Sequence, residues 1–237
     1  MRNKLAPTKN VAALRLAYEA LAGRDHGVPG MGLVHGFTGA GKTTAICELV
    51  TRVQGIYVRA TSSWTPTSML AKVQQELGAA PMQRRADMLD FIAARLTETQ
   101  RPLFVDEADY LFSNVAMLDS LRDVHDLSGA PVVLIGMDGI AKRLIHRRQL
   151  AGRISHWVEF LPSDLDDARV LAQTVCEVIL DDELLASVHA QAKGSMRLMT
   201  VGLARIEALA KANGWRDVSA EQWGHRALFL GNRPAEA

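Results

Sequence analysis

Apolar residues along the chain recur with two alternating periods. Val11, Leu14, Tyr18 and Leu21 fall at helical spacing, and Gly23 with the turn-rich stretch 27–32 ends that helix. Residues 32–35 are a short apolar run that enters a glycine-rich turn, after which Ala45, Ile46, Leu49, Val50 and Val53 resume helical spacing. The same alternation continues. Residues 56–58 read as a second strand, and Thr65 before Pro66 predicts a helix N-cap with proline at the first helical position and Met69, Val73 and Leu77 as the buried stripe. Leu89, Ile92, Ala93 and Leu96 write another helix, followed by strand 103–105, helix 118–127, strand 132–135 and a fifth strand at 157–160. Beyond Pro162 every periodic segment reads as helical, over 165–179, 184–188 and 199–210, and Ser219 with Gln222 has the spacing of a capping box. The pattern predicts an α/β fold over residues 1–162, with a leading N-terminal helix and a parallel five-stranded sheet flanked by helices. A small all-helical domain follows over 163–237.

The composition fits that picture and narrows the class. The chain has 237 residues, 48% of them hydrophobic and 22% charged, enough for one or two folded domains and unlike a disordered tail. No apolar run approaches the roughly 18 residues needed to cross a bilayer, so no membrane partner is expected. The N-terminal apolar stretch is cut by Lys9 and Arg15 and does not read as a signal sequence, so a cytoplasmic protein is expected. Cys47 and Cys176 form neither a disulfide framework nor a zinc spacing and read as a pair of buried thiols.

The chemistry is concentrated in two motifs. Gly36, Phe37, Thr38, Gly39, Ala40, Gly41, Lys42 and Thr43 match the P-loop pattern in full, between a strand and a helix as that motif requires. Its main-chain N–H groups would surround phosphate oxygens at the start of a helix, with Thr44 completing the nucleotide-binding run. Lys42 would reach the terminal phosphates, and Thr43 would ligate Mg2+. The strand 103–105 runs into Asp106 and Glu107, and ligands of parallel sheets bind at the carboxyl ends of strands. Asp106 is the second expected Mg2+ residue, and Glu107 the base that activates water against the γ-phosphate, so the pair predicts hydrolysis of a bound nucleoside triphosphate. Asp109 reads as an acid at the start of the next helix. Arg59, Thr61, Ser62 and Ser63 after the second strand, with Lys72 on the next helix, offer hydroxyls and cations suited to DNA phosphates, with Trp64 beside them and Arg84 and Arg85 as weaker additions. Against a dedicated nucleic-acid domain, the net charge is only +1 and the pI about 7.9. The segment 139–153 concentrates Lys142, Arg143, Arg147, Arg148 and Arg153 without an acid.

With these motifs the chain resembles the AAA+ ATPases over nearly its whole length. The resemblance implies an extra strand between the P-loop strand and the acidic strand, and a helical lid after the sheet. It places the sensor-1 position at Met137 or Asp138, the sensor-2 arginine at Arg197 in the run Gly194 to Arg197, and an arginine finger that acts on a neighbouring subunit's nucleotide at Arg153. Within AAA+, the run 36–44, residues 106–109 and residues 133–136 look most like the Mu-type transposition protein B group. That resemblance implies an ATP-dependent protein that binds double-stranded DNA with little regard to sequence, assembles on it as a homo-oligomer or helical filament, and delivers it to a transposase. A helicase-loader-like or insertion-sequence helper ATPase is one alternative. An ATP-switched signalling or secretion protein that does not bind DNA is another.

Overall fold

Odd and even positions of the same strands feed two different apolar layers. In the computed structural model, which describes residues 1–229, the chain divides into two compact units. One comprises Ala12–Thr38 and Lys42–Phe160; the other comprises Met1–Val11, Gly39–Gly41 and the chain from Leu161 on. The last eight residues of the expected 163–237 domain lie outside the described residues.

The first unit is built on five parallel strands: β1 (Met31–Gly36), β2 (Ile56–Arg59), β3 (Leu103–Asp106), β4 (Val132–Ile135) and β5 (Ile154–Phe160). Their order is β2-β3-β4-β1-β5, so β4 lies between the P-loop strand and the acidic strand, as the AAA+ resemblance implies. Between the strands run helices α1 (Lys9–Ala22, which begins in the other unit), α2 (Lys42–Val53), α3 (Pro66–Glu76), α4 (Arg85–Thr99), α5 (Val115–Ser128), α6 (Ile140–Ile145) and α7 (Arg148–Ala151). A 3-10 helix covers Ala108–Ser113. Leu33, Val58, Val105 and Leu134 pack with Val73, Ile92 and Leu121 into one fully buried layer. On the other face Leu14, Leu21 and Leu49 close over Val34, Phe104 and Val158. With helices on both faces, the central strands β3 and β4 are buried at every position.

Local signals set several boundaries. Thr65 caps α3 through a reciprocal box with Ser68, with Pro66 at its first position. Asn114 caps α5, and Gly129 in the left-handed region closes it. Cys47 departs from the expected pair of buried thiols. The buried stripe of α2 is Ala45, Ile46 and Leu49, which turns Cys47 outward, while Cys176 is buried and its thiol is pushed up to about 11 by that burial.

The second unit holds α8 (Leu165–Val175), α9 (Asp182–Ala192), α10 (Met196–Asn213) and α11 (Ala220–Trp223), packed through Leu171, Leu185, Val188, Leu203 and Ile206. It is not all-helical. The first helix stops at Val175, and β6 (Ile179–Leu180) pairs in parallel with β7 (Asp217–Val218). Asp181 explains the break: its carboxylate caps α9 at Leu184 N and also accepts from Ala220 N (2.9 Å), which holds the residues before it extended. The expected box of Ser219 and Gln222 opens α11. The chain's start is bound into this unit by Arg2 N donating to Val175 O (2.7 Å) and by a reciprocal pair between Asn10 and Leu161. Glu207, 2% exposed, accepts from Glu177 N and pairs with Lys211 and the Met1 amine; these hold its carboxyl at about 2 even though burial pulls it upward. Among the described residues no helix is long and apolar enough to cross a membrane.

Candidate functional site

The loop 36–43 connects β1 to the first turn of α2 through three glycines in the left-handed region, Gly36, Gly39 and Gly41. Gly36 has a second constraint: a Cβ there would overlap the main chain of Phe160, whose carbonyl accepts from Phe37 N (2.9 Å). Lys42 folds back and donates from Nζ to Gly36 O (2.7 Å) and Phe37 O (3.0 Å). Burial lowers its pKa, against the pull of the Asp106, Asp109, Glu107 and Asp138 carboxylates. Its ammonium is thus held where the loop closes, on carbonyls that a stronger anion can replace.

Asp106 ends β3 at 3% exposure. Its Oδ2 accepts from Thr43 Oγ1 (3.0 Å) and from Tyr57 Oη (2.8 Å), and its Oδ1 from Glu107 N (2.8 Å). A buried carboxylate converging with a threonine hydroxyl at the start of a helix fits a hard divalent cation, and Thr43 and Asp106 are the residues that would hold Mg2+. Tyr57 is a site residue that the sequence reading missed. Its place between apolar Ile56 and Val58 marks a strand, and only the pairing of β2 with β3 brings it to Asp106. Burial and that bond push its phenol well above the usual range.

Glu107 is one of four non-glycine residues with positive φ among the described residues, at +54°. This backbone turn carries its side chain toward β2, where Oε1 accepts from Arg59 Nη2 (3.1 Å). Arg59, expected at a DNA surface, is therefore paired with the expected base. Lys72 is paired as well, with Glu76 (2.7 Å) and Gln75 (3.2 Å), while Thr61, Ser62 and Ser63 are exposed. Asp109, read as a helix-start acid, does sit in the first turn of the 3-10 helix, and its Oδ2 also accepts from Met137 N (2.7 Å).

Arg153 lies at the amino end of β5, and the P-loop follows the carboxyl end of β1. Its guanidinium grips Asp126 at 2.6 and 2.5 Å and donates to Gln149 O. Arg147 and Arg148 are exposed, with no ion pair among the described residues. In the second unit Arg197 donates its main-chain N–H to Gly39 O (3.1 Å), and Ser195 caps α10 beside it. Apart from the Thr43 and Asp106 pair, His35, Asp138 and Glu159 bring one ligand atom each within 4.8 Å of one another.

A strand, a glycine-rich loop and a helix, with a buried carboxylate one strand beyond the neighbouring β4, define a P-loop nucleotide-binding protein. The model of the AAA domain family matches residues 25–144, just over half of the chain, and the chain belongs to that family of AAA+ P-loop ATPases. It resembles transposition proteins of the Mu type: it is 34% identical over 114 residues to the Mu-like prophage FluMu DNA transposition protein B of Haemophilus influenzae, a match covering 47% of this chain and 39% of that protein. A potential ATP-binding protein of Staphylococcus aureus is 29% identical over 142 residues, covering 55% of this chain and 52% of its own. The chain thus spans about two-fifths and about half of these two relatives. The ORC2 protein of Aeropyrum pernix, solved as ADPNP and ADP complexes, shares the fold with TM-score 0.70 and 18% identity over 94% of this chain and 68% of that one. Cdc6p of Pyrobaculum aerophilum does so with TM-score 0.66 and 16% identity over 92% and 66%.

Proposed function

We propose that the protein is an ATP-hydrolysing, sequence-independent DNA-binding protein that assembles on target DNA and delivers it to a transposase in the bacterial cytoplasm. In this reading residues 1–162 form the ATPase core and 163–237 the lid. The observation that carries it is the Arg59–Glu107 pair. It joins the residue that would meet DNA phosphates to the residue that would activate water, in a chain whose curated relative is a DNA transposition protein.

The chemistry runs as follows. The N–H groups of residues 36–44 and Lys42 neutralise the phosphates; Lys42 exchanges the Gly36 and Phe37 carbonyls for phosphate oxygens. Thr43 and Asp106 would hold Mg2+, which when bound would supply positive charge to the phosphates. Glu107 takes a proton from the attacking water once it is free of Arg59. A DNA phosphate that engages Arg59 competes for its guanidinium and releases Glu107, so DNA binding and turnover rise together. Arg197 reaches the triphosphate from the lid. A finger acting across subunits comes from the 147–153 edge; Arg153 must leave Asp126 to serve, whereas Arg147 and Arg148 are already free of ion pairs among the described residues.

The test is co-sedimentation of the protein with nonspecific duplex, with and without ATP, and electron microscopy of the product. ATP-dependent, salt-sensitive binding at every sequence, with an ordered array, is expected. Equal DNA binding without ATP, or none with it, overturns the reading.

A further inference from the structure

The main chain leaves β4 at Ile135, and the next residues must find hydrogen-bond partners outside the sheet. Gly136 N still reaches Val34 O (2.9 Å), but Met137 N has left the ladder, and Asp109 Oδ2 accepts from it at 2.7 Å. The fit is close on all sides. A Cβ on Gly136 would stand 2.8 Å from the same Asp109 oxygen and run into Ile140. The other oxygen of Asp109 lies 3.7 Å from Arg143 Nη1, and the Arg143 guanidinium stacks 4.1 Å above the Phe112 ring. Asp109 therefore ties three things together: the turn that follows Glu107, the loop that presents Met137 and Asp138, and the basic helix α6.

We propose that Asp109 is a positioning residue for hydrolysis, which fixes the loop after β4 beside the phosphate end of the site and links that loop through Arg143 to α6. The inference rests on the ATPase reading and adds to it a residue that acts through the main chain of the loop after β4. β4 runs parallel to β1 with Ile135 opposite Val34, so the tied loop leaves the sheet at the same end as the P-loop that follows β1. A shift of about 1 Å in such a loop is enough to cost on the order of 100-fold in turnover. If Asp109 served only as a first-turn acid, its loss would cost a little stability and no turnover.

The experiment compares Asp109→Ala, Asp109→Asn and Gly136→Ala for kcat, KM for ATP, thermal midpoint and hydrogen exchange at the Met137 amide without nucleotide. Asp109→Ala is expected to lower kcat by about 10- to 100-fold with KM within about threefold, and to expose the Met137 amide. Asp109→Asn keeps an oxygen that can accept from Met137 N–H and should stay within about fivefold of wild type, with the amide protected. Gly136→Ala keeps the carboxylate but pushes it aside with the new Cβ, and should reproduce the kcat loss. Wild-type kcat in Asp109→Ala, equal loss in the Asn variant, or an amide that exchanges equally fast in wild type and Asp109→Ala would each overturn the positioning role. A wild-type chain that binds ATP without hydrolysing it would instead sink the ATPase reading itself, while the exchange measurement still reports on the Asp109–Met137 tie.

Discussion

The two ends of the parallel sheet use similar residues in opposite ways. At the amino end Arg153 holds Asp126 with two hydrogen bonds, and buried His125 accepts from Gly30 N at Nε2 and meets Ala130 O through Nδ1. At the carboxyl end Lys42 rests on carbonyls, Glu107 sits in a left-handed turn, and its partner Arg59 is 64% exposed. Exposed ion pairs are worth about 0.2–1 kcal/mol, so a phosphate can displace them. The lesson is that one end is closed for stability and the other is held by contacts weak enough to exchange for a ligand.

The sharpest way to break this contrast is Lys42→Ala, which should weaken ATP binding on the order of 100-fold, or about 2.7 kcal/mol, in a folded protein. Equilibrium binding of a fluorescent ATP analogue measures it, and near-normal affinity would remove the P-loop assignment. Next comes Glu107→Gln, expected to bind ATP normally and to hydrolyse it at least 100-fold more slowly, since the amide keeps a hydrogen bond but not basicity. Steady-state phosphate release decides this, and wild-type turnover would move the base elsewhere.

A smaller effect is expected from Arg59→Ala. Freeing Glu107 from a pair worth up to about 1 kcal/mol should raise basal hydrolysis by up to about fivefold and abolish its stimulation by DNA. Unchanged basal turnover with full stimulation would separate Arg59 from the switch. Reversing charge at Arg59 and Lys72 together should also flatten the salt slope of DNA binding at every sequence. If slope and affinity stay as in wild type, the DNA surface lies elsewhere, with the 139–153 segment next in line.

The smallest effects belong to the closed end. Arg153 holds the Asp126 carboxyl below its usual value, so this pair adds stability above about pH 4 and loses it as the carboxylate is protonated on acidification. Wild type should therefore exceed Asp126→Asn in thermal midpoint by a constant margin at neutral pH, and the margin should close below about pH 4. A margin that does not shrink at all as the pH is lowered below about 4 would mean that the pair contributes through packing and not charge. Arg153→Ala should in addition lower hydrolysis only in assembled protein. Equal loss in dilute monomer would make Arg153 a residue of its own subunit.

What could be read from the sequence was local, and what could not was a matter of partners far along the chain. Strand, glycine loop and helix follow from residues 31–53 because φ > 0 demands glycine and an amphipathic stripe repeats every few residues. The apolar run into Asp106 and Glu107 was legible for the same reason. A two-residue strand such as Ile179–Leu180 has no period to read, so its pairing with Asp217–Val218 was invisible, and the side of α2 that Cys47 would face required knowing which stripe was buried. Tyr57 on Asp106, Arg59 on Glu107 and Asp109 on Met137 each join residues 28 to 49 positions apart. Such contacts exist only after the strands take the order β2-β3-β4-β1-β5. The sequence by itself determined where phosphate chemistry can occur, because that chemistry needs adjacent N–H groups and a lysine at fixed spacing. Only the tertiary structure decided which charges are already spoken for, because an ion pair depends on distance in space and not on separation along the chain.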